Sequence, residues 1–265
     1  MRFKLLIEYA GTRYSGWQIQ KNARTVQGEI DRAVGEVSGR RDFELYGSGR
    51  TDAGVHALAQ VAHLDLATPL SPEDVVAATN DKLPADINIL GAVCVPHRFH
   101  ARHDAVARSY VYQIARRRTA FAKPYVWWVK EDIDVALMRQ AAARFSGMHD
   151  FQAFTDADPD ETSTAVQVER VQVEDAGDLL LVRVEGSHFI WKMVRRMIGV
   201  LVEVGRGRLT PARVTALLQS PSKLSARITA PASGLFLERV FYAGDRRDYP
   251  LAPPLFALPA PDTRR

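Results

Sequence analysis

Within its first 95 residues the chain switches between two periodicities in a fixed order, and that order constrains the fold more than any other feature. Phe3-Lys4-Leu5-Leu6-Ile7-Glu8-Tyr9 reads as a strand that stops at Gly11. Thr25 then caps a segment whose apolar residues Val26, Ile30, Ala33, Val34 and Val37 recur at helical spacing. Two strand-like runs follow, Phe43 to Tyr46 and Leu58 to Leu66. Ser71-Pro72 opens a second helix, with serine as N-cap and proline at the first helical position. Asp86 to Val95 returns as a strand. Strand, helix, strand, strand, helix, strand is the split βαβ order of a ferredoxin-like unit.

The second half repeats this theme loosely. Ser109 to Arg116 reads as a strand with Tyr110, Tyr112 and Ile114 on one face, and Asp134 opens a helix carrying Met138, Ala141, Ala142 and Phe145. Val166 to Glu174 and Leu179 to Glu185 form a hairpin across Asp175-Ala176-Gly177-Asp178. Ile190 to Val204 is a helix, Thr210-Pro211 starts another, and Leu235 to Tyr242 closes as a strand. The expected fold is α+β: two ferredoxin-like halves, 1–105 and 106–245, with adjoining antiparallel sheets and a central cleft suited to a ligand. Residues 246–265 form a proline-rich tail; five prolines between Pro250 and Arg265 point to an extended or disordered segment.

Between the two middle strands of the first half lies Gly47-Ser48-Gly49-Arg50-Thr51-Asp52-Ala53-Gly54-Val55-His56-Ala57. Glycines 47, 49 and 54 allow backbone conformations that a Cβ forbids. A single carboxylate on such a turn, beside Arg50, has the makings of an acid, a base or a nucleophile. The plainer reading is an Asx-turn in which Asp52 bonds the backbone of Gly54.

Composition narrows the class. The 46% hydrophobic and 25% charged fractions are those of an ordinary globular protein. No apolar run approaches the ~20 residues that span a bilayer, and the first residues read as a strand rather than a signal peptide. The lone Cys94 excludes an internal disulfide and a thiolate-rich metal site, and within Ile89-Leu90-Gly91-Ala92-Val93-Cys94-Val95 it reads as a small buried hydrophobe. A cytoplasmic protein is expected. Net charge is only +4, but basic residues cluster. Arg98, Arg102, Arg108, Arg116-Arg117-Arg118 and Lys123 are interleaved with Phe99, Tyr110, Tyr112, Phe121 and Tyr125; Lys192, Arg195, Arg196, Arg206 and Arg208 form a second group. Cations for phosphates and rings for unpaired bases make an RNA groove. The alternative is a strand with a solvated face.

The string Gly-Arg-Thr-Asp-Ala-Gly-Val-His at 49–56 resembles the signature of the tRNA pseudouridine synthase A family, and further blocks extend the resemblance over nearly the whole chain. They include Tyr14-Ser15-Gly16-Trp17-Gln18, Leu83-Pro84-Ala85-Asp86-Ile87, Phe99-His100-Ala101-Arg102, Arg108-Ser109-Tyr110-Val111-Tyr112, Phe189 to Gly199, and Gly234-Leu235-Phe236-Leu237. The resemblance implies isomerisation of uridine to pseudouridine at positions 38, 39 and 40 of the tRNA anticodon stem-loop, by a homodimer that needs no cofactor and no metal. It makes Asp52 the catalytic residue and Arg195 its partner cation; a cation at contact distance favours the charged form of a carboxylate. It places Tyr110 against the uracil ring, leaves Tyr112 to the core, and makes Arg50 the side chain that fills the space of a flipped base. Whether Asp52 attacks the sugar, attacks the base or removes a sugar proton stays open. His56 and His63 are given no catalytic role. Where many relatives carry an arginine before the central hairpin, this chain has Gln167, which puts a backbone-phosphate contact there in doubt and leaves the catalytic assignment untouched. Two other classes compete: an RNA-binding protein without the chemistry, and a glycosidase, for which a second carboxylate at defined separation is missing.

Overall fold

The computed structural model describes residues 1–159 and 161–254, which divide into two compact units. The described residues form an α+β protein with six α-helices.

In the first unit, strand β1 (Arg2–Tyr9) alternates strictly, with Phe3, Leu5 and Ile7 fully buried and the intervening side chains on the other face. Helix α1 (Val26–Ser38) buries Val26, Ile30, Ala33 and Val34. It begins where the Thr25 hydroxyl accepts from the Gly28 amide, and it ends at Gly39, whose φ of 65° is left-handed. Strands β2 (Glu44–Gly47) and β3 (His56–Asp65) flank the glycine-rich turn. Helix α2 (Pro72–Asn80) starts with the Ser71 hydroxyl accepting from the Asp74 amide, and strand β4 (Ile87–Val95) follows. The sheet order is β4–β1–β3, with β2 also on β3 and these three pairings antiparallel; Leu5, for example, lies between Ala62 and Ala92.

Cys94 corrects one expectation. It is exposed, as are Leu90 and Val93. β4 pairs only with β1 and carries a bulge at its middle, so an apolar run that reads as a buried strand occupies a sheet edge instead.

The second unit begins with β5 (Ala105–Ala115), which pairs antiparallel with β9 and, for two residues, parallel with β6 (Trp127–Trp128). Helix α3 (Val135–Ala142) is capped by Asp134, whose carboxylate accepts from the Leu137 amide, and it buries Met138, Ala141 and Ala142. Strands β7 (Gly147–Asp150), β8 (Ala165–Ala176) and β9 (Leu179–Gly186) complete the order β5–β9–β8–β7. The expected hairpin turns at Gly177, with φ 73°. Helix α4 (Met193–Gly205) is buried on nearly every side; a Cβ on Gly199 would lie 1.8 Å from the Ile228 carbonyl oxygen. Short helices α5 (Pro211–Gln219) and α6 (Leu224–Arg227) follow. The last strand, β10 (Leu235–Tyr242), returns the chain to the first unit, where it pairs parallel with β3 through Phe236–His56 and Leu237–Ala57.

The start of the expected tail has a definite place. Arg183 is fully buried in β9 and donates to the carbonyls of Tyr249 (3.1 Å) and Pro250 (2.9 Å), with its guanidinium 4.1 Å from the Tyr249 ring centroid. Leu251 packs against Ala115, Val126, Leu179 and Leu181. The remainder of the tail, 255–265, lies outside the described residues.

Candidate active site

The turn that carries Asp52 is held from several directions. Its backbone is fastened to the segment after β1: Trp17 N–H donates to Thr51 C=O (3.1 Å), and Gly54 N–H donates to Tyr14 C=O (3.3 Å). Val55 N–H closes a turn onto the Asp52 carbonyl at 3.1 Å. Thr51 and Tyr9, both buried, share a hydrogen bond of 2.8 Å between hydroxyls. Gly11 N–H donates to His56 Nδ1 at 3.0 Å, and the His56 ring stacks on Phe236. On the other side the fully buried Gln60 donates to Gly49 C=O (3.0 Å) and accepts from the Ser48 hydroxyl (2.7 Å).

Two glycines explain why the segments fit. Gly16 has φ 96°, and a Cβ there would stand 2.6 Å from Thr51 O; at Gly47 it would overlap the buried Trp17 indole at 2.5 Å. The outcome is a half-buried Asp52 on a fixed backbone, with exposed Arg50 two residues before it. Arg50 also lines a shallow recess together with Trp17, Gln18, Tyr46, Gly49 and Arg102 among others. The first unit therefore brings Arg50 and Asp52 together on one turn.

Tyr110 and Arg195 belong to the second unit. Tyr110 lies on β5 opposite Val184, 9% exposed, with its ring edge-on to Phe189 at 5.3 Å. Tyr112, two residues on and on the same face, is fully buried and donates to Pro231 C=O at 2.8 Å. Burial pushes its phenol well above the usual tyrosine range, while the charge of Arg195 works against that rise. Core placement of Tyr112 is thus observed. Arg195, on α4 and half-buried, has its Nε donating to Ala230 C=O (2.8 Å), and Ala230 N–H donates to the Arg195 carbonyl (3.1 Å).

The next residue is the one that periodicity misses. Arg196 is 3% exposed, donates to Thr155 C=O at 2.6 Å and pairs with Asp156, whose carboxyl it draws below the usual range. A helix buried on nearly every side has no solvated face on which to place a cation. Several members of the basic clusters are likewise paired within the second unit. Arg116 meets Asp175 (2.7 Å), Arg117 meets Asp178 (2.5 Å), and Arg206 and Arg208 share Glu131 and Glu203. These arginines brace the hairpin turn and the end of α4, which changes their reading as a row of phosphate ligands. Gln60 gives little signal in the sequence beyond an amide between Ala59 and Val61 in an apolar strand.

His63 is 1% exposed, and its Nδ1 accepts from Ala101 N–H at 3.2 Å. Burial, then the charges of Arg2 and His100, lower its pKa from the ordinary 6.5, against the pull of Asp65 and Glu44. Among the described residues no group of three His, Cys, Asp or Glu side chains is placed to hold a metal ion, and no helix is long and apolar enough to cross a membrane.

A family model described as tRNA pseudouridine synthase matches residues 5–104 and 141–243. The chain belongs to this family. It is 38% identical to tRNA pseudouridine synthase A 2 of Clostridium tetani over 243 residues, 90% of this chain and 98% of that one. Its identity to tRNA pseudouridine synthase A of Syntrophotalea carbinolica is 43% over 91% of this chain and 96% of that one. With the Afipia carboxidovorans protein of the same name it is 40%, over 91% and 99%. The family's enzymes are isomerases, and the matched regions contain Asp52, Arg50 and Arg195, with Tyr110 lying between them.

Proposed function

We propose that this protein isomerises uridine to pseudouridine in the anticodon stem-loop of tRNA, at positions 38, 39 and 40, with Asp52 as nucleophile. The reaction exchanges an N–C glycosidic bond for a C–C bond within one nucleotide. Reactant and product have the same atoms and oxidation level, so no redox partner is consumed. What the protein must supply is a fixed carboxylate, a hold on the detached ring, and a way to expose the nucleotide.

The observation that carries this reading is the half-buried Asp52 on a turn whose backbone is fastened on both sides of it, the Thr51 carbonyl accepting from Trp17 N–H and Gly54 N–H donating to the Tyr14 carbonyl. Mere RNA binding has no use for a rigidly placed carboxylate facing a polyanion. In this reading Arg195 is the partner cation that orients Asp52, and Tyr110 stacks on the uracil while its hydroxyl relays a proton. Arg50, exposed beside its recess, occupies the gap left by the extruded base, offsetting part of the few kcal/mol that unstacking costs. The antiparallel β4–β1–β3–β2 order of the first unit supports the ferredoxin-like reading of that half. A cytoplasmic homodimer would present one tRNA with the basic surface of both copies.

Purified protein incubated with unmodified tRNA, followed by carbodiimide treatment and reverse transcription, tests the assignment. Stops at uridines 38, 39 or 40 are expected. Stops only at other uridines would refute the anticodon site, and no stops at all would refute the activity.

A further inference from the structure

Trp191 stands 53% exposed immediately before α4. An indole is the largest apolar side chain a protein can leave in water, and this one is held there by structure on both sides. The following residue, Lys192, has φ 61°, a left-handed conformation unusual for a side chain other than glycine, asparagine or aspartate. Thr155 ties the strained bend down, its hydroxyl donating to Trp191 C=O at 3.0 Å while its own carbonyl accepts from buried Arg196 at 2.6 Å. The Lys192 ammonium lies 4.2 Å from the indole centroid and 3.1 Å from Asp156, which also pairs with Arg196. Asp156 thereby ties Lys192, and with it the bend that carries the indole, to the buried Arg196.

We propose that Trp191 is a stacking platform for an unpaired base of the RNA substrate, next to the nucleotide held for reaction. The inference rests on the proposed tRNA-modifying function. A rigid, exposed indole with a lysine ammonium beside it suits the flat face that every base presents, and a base pays little entropy to lie on a ring already fixed. Arg195 is four residues on, in the first turn of α4, so a base on Trp191 neighbours the segment that carries the group assigned as Asp52's partner. Stacking supplies affinity and register there without reading sequence, which suits an enzyme acting on several adjacent positions.

Direct tRNA binding and acrylamide quenching of tryptophan emission test the proposal. Trp191→Ala should weaken tRNA binding roughly 5- to 150-fold, the range for loss of one base–aromatic stack, and Trp191→Phe should recover most of it. The slope of log affinity against log salt should stay unchanged in both variants, because no phosphate contact is lost. In the wild-type protein bound tRNA should shield part of the emission from acrylamide, and that part should be missing in Trp191→Phe. Wild-type affinity in Trp191→Ala would overturn the platform. So would a salt slope reduced by about one phosphate, which would make Trp191 a mere support for Lys192, or a loss of self-association without loss of RNA affinity, which would make it a contact with a second copy. A wild-type protein that forms no pseudouridine, while Trp191→Ala still weakens RNA binding, would refute the function and leave the platform standing.

Discussion

Gly16→Ala separates the support of the Asp52 turn from the stability of the fold. Gly16 has φ 96°, beyond the +50 to +70° basin that an L-residue can visit. Forcing alanine into left-handed backbone costs about 1–2 kcal/mol. The new Cβ would also lie 2.6 Å from Thr51 O, 3.2 Å from Asp52 C and 3.3 Å from Ala53 N, all backbone atoms of the turn. Gly16 cannot retreat freely, because its carbonyl accepts from Val26 N–H at the start of α1 (3.1 Å). Overpacking of this kind adds ~1–3 kcal/mol, for a total of roughly 2–5 kcal/mol. At about 2–4 °C per kcal/mol for chains of this size, the melting temperature should fall by roughly 5–20 °C. Relief of the clash displaces the turn, and a shift near 1 Å costs on the order of 10²-fold in rate. Gly39 provides the control: its φ is 65°, but nothing lies within 4 Å of its Cβ position. Gly39→Ala should lose only ~1–2 kcal/mol and keep its turnover. Thermal unfolding and single-turnover pseudouridine formation below both melting temperatures report the two quantities. Wild-type turnover in Gly16→Ala, or an equal loss in Gly39→Ala, would refute the argument.

Ending the chain after Arg247 should strand fully buried Arg183 without the carbonyls of Tyr249 and Pro250, lowering stability in a denaturant titration by about 3–6 kcal/mol at ~1.5–3 kcal/mol per charged hydrogen bond. Arg183→Met should return part of that loss in the shortened chain, and undiminished stability on truncation would contradict the assignment. His63 has a lowered pKa in the folded state, so the unfolded chain binds its proton first as pH falls. Its contribution is intact above the ordinary value of 6.5 and is lost as pH falls through the lower folded value; His63→Gln should flatten stability against pH there, and an unchanged slope would contradict this. Tyr110→Phe keeps the ring and should retain more turnover than Tyr110→Leu; equal turnover in both variants and the wild type would return Tyr110 to a purely structural role.

Much of this arrangement was legible wherever local chemistry decides structure. The Thr25, Ser71-Pro72 and Asp134 starts, the Asp175–Asp178 hairpin and the core stripe of α3 all use rules confined to a few neighbouring residues. The misread or unread residues depend on what tertiary packing brings to them. Cys94 is exposed because its strand ends up at a sheet edge, which an apolar run does not reveal. Arg183 and Arg196 are buried because distant carbonyls and Asp156 meet them, and no periodicity encodes such partners. The site divides the same way. The glycines and the carboxylate of the turn are visible in sequence, whereas Gln60, Tyr9 and Gly16, which hold it in place, are visible only through their contacts.

The central claim is that Asp52 performs the isomerisation, and release of tritium from tRNA labelled at uridine C5 measures it most directly. Forming the new C–C bond at C5 expels that hydrogen, so each turnover frees one label. Purified wild-type protein should release label over many turnovers, and Asp52→Asn, alike in shape but without the charge, should release none while binding tRNA with nearly wild-type affinity. Sustained release by Asp52→Asn in a preparation free of host enzyme would contradict the account.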